Sequence, residues 1–213
     1  MTEKLKLRQP GRPRSEKLER EIIRATISVL ARVGYHNLTM ELVAEEANSS
    51  RPAIYRRWKS KQELTVAALA QRFYDAIPMV VDTGSTPTDV ATMLKGFLSL
   101  LRTDDMDQAI LSIIPEIRRD DELGRLFKKI EVGRRLFLAK AIMRGKIRGD
   151  IPTDTDVNLV IDMFLGGIYF RLIFRDGIPA DSDIEDMVNA LLCPAAPPLH
   201  NITAFKLRRK PEN

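Results

Sequence analysis

The 213-residue chain predicts an all-α fold in two parts, a small basic helical unit at the amino end and a larger helical body after it. Three observations predict this. Every long segment repeats its apolar residues at the helical period, and no run alternates apolar with polar residues as a half-buried strand would. With 44% hydrophobic and 30% charged residues but only 11 Gly and 12 Pro, the composition suits a chain that buries a core. The charge is segregated: residues 1–63 carry fourteen Lys and Arg against eight Asp and Glu, residues 64–200 sixteen against twenty, and residues 201–213 four against one. A basic first third on a mildly acidic body suggests a polyanion met by that third, with a solvated charged face as the alternative.

Ser15 is a candidate N-cap for a first helix, whose inward stripe runs through Leu18, Ile22, Ile23, Thr26, Val29, Leu30 and Val33 to a stop at Gly34. Thr39 offers a cap hydroxyl to a short second helix, with Glu41 in its first turn and Met40, Val43, Ala44 and Ala47 facing inward. Asn48, Ser49 and Ser50 make a tight turn in which Asn takes the left-handed conformation. A short third helix follows, with Pro52 in its first turn and Ile54 and Trp58 as its buried side. Ser60 and Glu63 form a capping box opening a fourth helix to about Ala76. Residues 82–88 connect to further helices at about 89–102, 106–117, 121–147, 155–175 and 181–192. The domains read as a flexible basic arm at 1–14, a three-helix unit at 15–63, a helical body at 64–193 and a mobile basic tail at 194–213.

Two short helices joined by a three-residue turn, the second bearing Arg, Tyr and Arg, and both braced by a longer helix, make a helix-turn-helix. Residues 33–64, VGYHNLTMELVAEEANSSRPAIYRRWKSKQEL, resemble the DNA-binding domain of the TetR family of bacterial transcriptional regulators. The resemblance rests on Gly34, Thr39, Val43-Ala44, Ala47, the Tyr55 and Trp58 pair, and Ser60-Lys61 with Leu64; it covers about residues 15–75. Asn48 and Ser49 stand where members commonly have Gly-Val, and Trp58 replaces the usual Phe.

With Ile54 and Trp58 inside, the wheel leaves Pro52, Tyr55 and Arg56 opposite and Ala53 and Arg57 beside them, so these five are expected to face the groove or its rims. Arg51 lies toward the inner side by angle, but the resemblance implies that it reads bases. Arg51 and Arg56 are assigned to guanine edges, and Pro52 and Ala53 to thymine methyls. Tyr55, Arg57, Thr39 and Lys61 are assigned to phosphates. Tyr55 has packing in the core as its alternative. Upstream, Arg12 and Arg14, in an arm that Gly11 and Pro13 keep extended, suit a narrow minor groove, or add only nonspecific affinity.

The resemblance implies an apolar effector cavity in the body, for which Phe73, Met93, Phe97, Met106, Phe127, Phe137, Met143, Phe164 and Tyr169 are candidates, ordinary core packing being the alternative for each. The 155–175 helix is apolar nearly all round, which leaves one side for a second subunit. Met163, Gly166, Gly167 and Phe170 on it, with Ile184, Met187, Val188 and Leu191 on the next helix, are the expected dimer interface. Met163–Phe174 falls short of the roughly 20 apolar residues of a bilayer span, and the amino end has no signal-peptide apolar region. A cytoplasmic protein is therefore expected. No cofactor or metal is expected, since the two His stand apart and Cys193 is the lone cysteine, read as inert. No phosphate loop or nucleophile elbow is present.

The expected protein is thus all-α, a helix-turn-helix DNA-binding domain joined to a ligand-binding and dimerisation domain. Its expected partners are double-stranded operator DNA, a second copy as homodimer, and a small apolar effector molecule that ends repression. A constitutive or architectural DNA binder, and an enzyme using Glu116 or Asp162, remain as alternatives.

Overall fold

The computed structural model of the chain describes residues 12–193 except 79, 104 and 176, the first four of them by backbone alone. Expectations for residues 1–11 and 194–213 lie outside the described residues. The described chain is helical: α1 (Arg12–Asn37), α2 (Met40–Glu46), α3 (Arg51–Tyr55), α4 (Lys61–Ala76), α5 (Thr86–Leu101), α6 (Met106–Ile113), a 3-10 turn (Glu116–Arg118), α7 (Asp121–Arg148), α8 (Val157–Phe174) and α9 (Asp181–Leu192).

The helix ends follow local chemistry. Helix α1 departs from helical geometry at Gly34 (φ 76°, ψ 162°), a conformation that a side chain would strain. It begins at Arg12 rather than Ser15, so the extended conformation expected for residues 12–14 is not found. Pro13 falls in the first turn, where its missing N–H costs nothing. Hydroxyls of Thr39, Ser60 and Ser85 accept from the backbone of Leu42, Glu63 and Thr88 and cap α2, α4 and α5. Helix α5 starts earlier than expected because Ser85 caps it and Pro87 is tolerated in its first turn. Pro115 follows the early end of α6 and precedes the 3-10 turn.

One continuous apolar core runs from Ile22 in α1 to Leu192 in α9. Helix α1 packs on α2, α4 and α6, and α4 packs also on α5 and α7, so the amino-terminal unit shares a wall with the body. Two polar clusters fix this frame. Buried Asp89 at the start of α5 accepts from Thr83 N (2.8 Å) and Thr83 Oγ1 (2.7 Å). Arg144 and Arg148 at the end of α7 lie 3.6 and 3.8 Å from its other oxygen, so the charge is paired rather than stranded. At the other end of α7, Asp120 accepts from Leu123 N (2.9 Å), Gln62 Nε2 (2.8 Å) and Tyr35 Oη (3.0 Å), tying the cap of α7 to α1 and α4.

Helix α8 departs from the sequence expectation about membranes. With 18 residues and a mean hydropathy of 1.7 it has the length and apolarity of a span, the one such helix among the described residues. Val160, Ile161, Phe164, Ile168 and Leu172 bury one of its sides in the core, as in the central helix of a packed domain.

Candidate nucleic-acid interface and body cavity

The α2–α3 unit is built from short-range bonds. Ala47 N donates to Val43 O (2.9 Å) and Ser49 N to Ala44 O (2.8 Å), and between them Asn48 adopts a left-handed φ of 46°. Asn tolerates that conformation, so the turn survives without the glycine common at this position. Ile54 and Trp58 are both buried in the core, as their one-turn spacing predicts.

Thr39, Arg51, Pro52, Tyr55 and Arg56 are all exposed. Tyr55 is 45% exposed, which excludes the core alternative. Arg51 is on the surface, its guanidinium paired with Glu41 of α2. A hydrogen bond from its own backbone, opposed by slight burial and helped by Arg51, holds the Glu41 carboxyl below its ordinary range.

One expected contact is corrected, and two expected phosphate-binding cations have partners within the fold. Ala53 is 5% exposed and faces the interior, so it offers no methyl to a thymine. On a helix of five residues the wheel angle misplaces a residue flanking the buried side. Arg57 curls back, its Nη1 donating to Ala53 O at 3.0 Å and its Nε 3.9 Å from Glu19 of α1. Lys61 is committed within the fold: its ammonium donates to Tyr35 O (3.2 Å) and His36 O (3.3 Å) and sits 4.6 Å from the Tyr35 ring centre. It caps the carbonyl end of α1, where a cation is favoured.

In the body, two small cavities of about 20 Å³ each lie between α4, α5, α7 and α8, the second also against α6. Phe73, Met93, Phe97 and Phe137 line the first; Phe73, Phe97, Met106, Phe127 and Tyr169 line the second. Phe164 is fully buried but lines neither, and Met143 is exposed on the far side of α7. Arg134 borders both cavities and is not among the cavity residues expected from the sequence. The signal was present: Arg134 stands four residues from both Ile130 and Leu138, on the stripe that packs inward.

Part of the expected dimer interface packs within the subunit. Ile184 and Val188 are buried inside their own subunit, where α9 packs on α5 and is held by Lys95–Glu185 (2.5 Å) and Arg102–Asp181 (2.8 Å). Met187 and Leu191 are partly buried with them. A Cβ on Gly167 would come within 2.6 Å of Met187 Cε, so that glycine serves helix packing within the subunit. Gly166 has open space before it, and Leu159, Met163, Phe170 and Phe174 line the same outer face of α8. Beside it, Val132, Leu136, Met143 and Ile147 make a second exposed apolar stripe along α7. Arg135 bridges the two helices, donating to Asn158 O (3.2 Å) and to the Asp162 carboxylate.

The acids considered for catalysis are engaged in ion pairs, Asp162 with Arg135 and Glu116 with Arg119 (3.2 Å). Among the described residues no group of His, Cys, Asp and Glu is arranged to hold a metal. Cys193 is exposed and free.

Two family descriptions match the chain. "Bacterial regulatory proteins, tetR family" matches residues 22–68, and "Tetracyclin repressor-like, C-terminal domain" matches residues 80–191. The chain is 27% identical over 179 residues to the uncharacterised HTH-type transcriptional regulator YdeS of Bacillus subtilis, covering 84% of this chain and 89% of that protein. It is 29% identical over 191 residues to the DNA-binding transcriptional repressor TetR of Mycobacteroides abscessus, covering 86% and 98%. The crystal structure of the TetR family transcription regulator SCO0332 superposes with a TM-score of 0.64 at 25% identity, covering 85% of this chain and all of that one.

Proposed function

The chain belongs to the tetR family of bacterial regulatory proteins, a family of DNA-binding transcriptional regulators, and from that premise we propose a homodimeric repressor released from its operator by a small molecule. The observation that carries the DNA reading is the exposure of Thr39, Arg51, Pro52, Tyr55 and Arg56 on a buried helix-turn-helix scaffold. The Arg56 guanidinium makes no hydrogen bond or ion pair among the described residues, which leaves its planar fork for a guanine edge. Arg51 reaches the same groove by exchanging Glu41 for a base, and Tyr55 meets the backbone. A repressor is the sign favoured by the relative in Mycobacteroides abscessus, itself named a repressor.

One helix-turn-helix reads only a few base pairs, so specificity calls for two on a near-palindromic site. The adjacent outer stripes of α7 and α8 suit a second copy related by a twofold axis, closing a four-helix contact. The effector reading rests on the apolar cavities and on the Asp120 junction, which links the start of α7 to the DNA-binding unit. A second reading, a constitutive regulator without effector, is favoured by the small size of those cavities, each with room for about one water.

Selection of bound fragments from a random DNA pool, followed by fluorescence anisotropy on the recovered site, tests the proposal. The expected site is near-palindromic and binds one dimer; indifference to sequence would point to an architectural binder instead. A small-molecule screen for loss of anisotropy then separates the released repressor from the constitutive one.

A further inference from the structure

Arg134 is a charge buried in an apolar place. Its residue is 9% exposed, and its guanidinium lies 4.3 Å from the Phe73 ring centre and 5.0 Å from that of Phe97. Among the described residues no carboxylate pairs with it. Its two terminal nitrogens share one acceptor, the Tyr169 hydroxyl, at the long distances of 3.5 and 3.4 Å, and its buried Nε has no hydrogen-bond partner. A buried guanidinium is costly unless a counter-charge and good hydrogen bonds compensate it, and the two ring faces supply part of that compensation. The other side chains around both cavities are uncharged, so one positive charge stands ready for one negative charge.

We propose that the body cavity takes a small amphipathic carboxylate, its apolar part among Phe73, Phe97 and Phe137 and its carboxylate on Arg134. This rests on the effector reading above and replaces a purely apolar effector with an anionic one. A carboxylate matches the guanidinium fork and carries the single charge that Arg134 balances, whereas a phosphate monoester brings more charge than one Arg offsets. Tyr169 completes the site. Its oxygen accepts from Arg134, so its own proton is free to be donated to the second carboxylate oxygen. Because Arg134, Phe73 and Phe97 border both cavities, their side chains form the partition between them, and a ligand seated on Arg134 must part it and join the two spaces.

The test is calorimetric titration of the full chain with octanoate against 1-octanol and benzoate against benzyl alcohol, on wild type, Arg134→Gln, Arg134→Lys and Tyr169→Phe. The expected wild-type result is at least a tenfold preference for one carboxylate over its matched alcohol. Arg134→Gln should erase the preference while keeping the alcohol's affinity, Arg134→Lys should keep part of it, and Tyr169→Phe should reduce it several-fold. Arg134→Met, which removes the buried charge without a void, should melt no lower than wild type and should also bind the alcohol but not the acid preferentially. Equal binding of acid and alcohol, a preference that survives Arg134→Gln, or no binding of any probe would overturn the proposal. If the carboxylate binds through Arg134 but leaves DNA affinity unchanged, the anion site stands and the released-repressor reading fails.

Discussion

Tyr35 donates its phenolic hydrogen to Asp120 Oδ2 at 3.0 Å, joining residues 85 positions apart, one near the end of α1 and the other the cap of α7. Gln62 of α4 donates to the same carboxylate oxygen at 2.8 Å, while the other oxygen caps α7 through Leu123 N. One carboxylate therefore holds the DNA-binding unit to the longest helix of the body. Burial works against the Asp120 charge, but the bonds from Leu123, Gln62 and Tyr35 outweigh it and hold its pKa below the ordinary value of 3.8. Burial first, then the bond and charge of Asp120, push the Tyr35 hydroxyl above its ordinary 10.0.

These shifts set two pH limits on stability. Asp120 binds its proton less readily folded than unfolded, so its contribution is present above about pH 4 and is lost as pH falls through the lowered value. Tyr35 keeps its proton in the folded chain after the unfolded chain releases it, so stability falls as pH rises above about 10. Urea melts across pH should show Asp120→Asn flattening the acid limb and Tyr35→Phe the alkaline limb. Tyr35→Phe should cost about 1 kcal/mol at pH 7, the usual worth of one such bond. Unchanged limbs in both variants would mean the junction adds nothing to folding.

Arg56 and Lys61 should separate cleanly on DNA. Arg56→Ala should cost about 1–3 kcal/mol of specific affinity and relax the preference at one base pair, with the melting temperature unchanged. Lys61→Ala should instead lower the melting temperature, since it removes the ammonium that caps Tyr35 and His36 carbonyls. Anisotropy and thermal melts on both variants check this; a stable Lys61→Ala protein with a lower salt slope would restore Lys61 as a phosphate contact.

Ala53 should report packing rather than readout. Ala53→Leu inserts a larger side chain at a buried site and should destabilise the domain by about 1–3 kcal/mol. A variant of unchanged stability whose base preference shifts would return Ala53 to the groove face.

Gly166 and Gly167 should behave oppositely. Gly166→Arg places a charge on the open outer face of α8 and should leave the subunit folded while raising the dimer dissociation constant at least tenfold. Gly167→Ala meets only the flexible end of Met187 and should leave the dimer intact at a small cost in stability. Sedimentation at micromolar concentration decides: a wild-type monomer, or a Gly166→Arg dimer as tight as wild type, would remove α8 from the interface.

DNA affinity should fall steeply with salt. Residues 1–63 carry an excess of six positive charges, and each phosphate they neutralise releases counterions. Binding across a salt series should show a strongly negative slope, and a nearly flat one would contradict the polyanion reading of that third.

The sequence by itself determined what depends on near neighbours. The caps at Thr39 and Ser60, the turn through Asn48, and the pairing of Ile54 with Trp58 all arise within a few residues, where hydrogen-bond geometry and helical spacing leave little choice. The family resemblance was carried by the same short-range pattern. Tertiary structure alone decided which helix face meets which neighbour. Periodicity shows that α9 has an apolar stripe but not that α5 covers it, which leaves the outer stripes of α7 and α8 as the exposed apolar faces. Lys61 and Arg57 look like free cations in sequence, and only the nearness of the α1 carbonyls and of Glu19 reveals them as bound within the fold. Arg134 was hidden because a charged residue is cheapest in water. Only a packed pocket of aromatic faces and a tyrosine hydroxyl shows that this one stays inside.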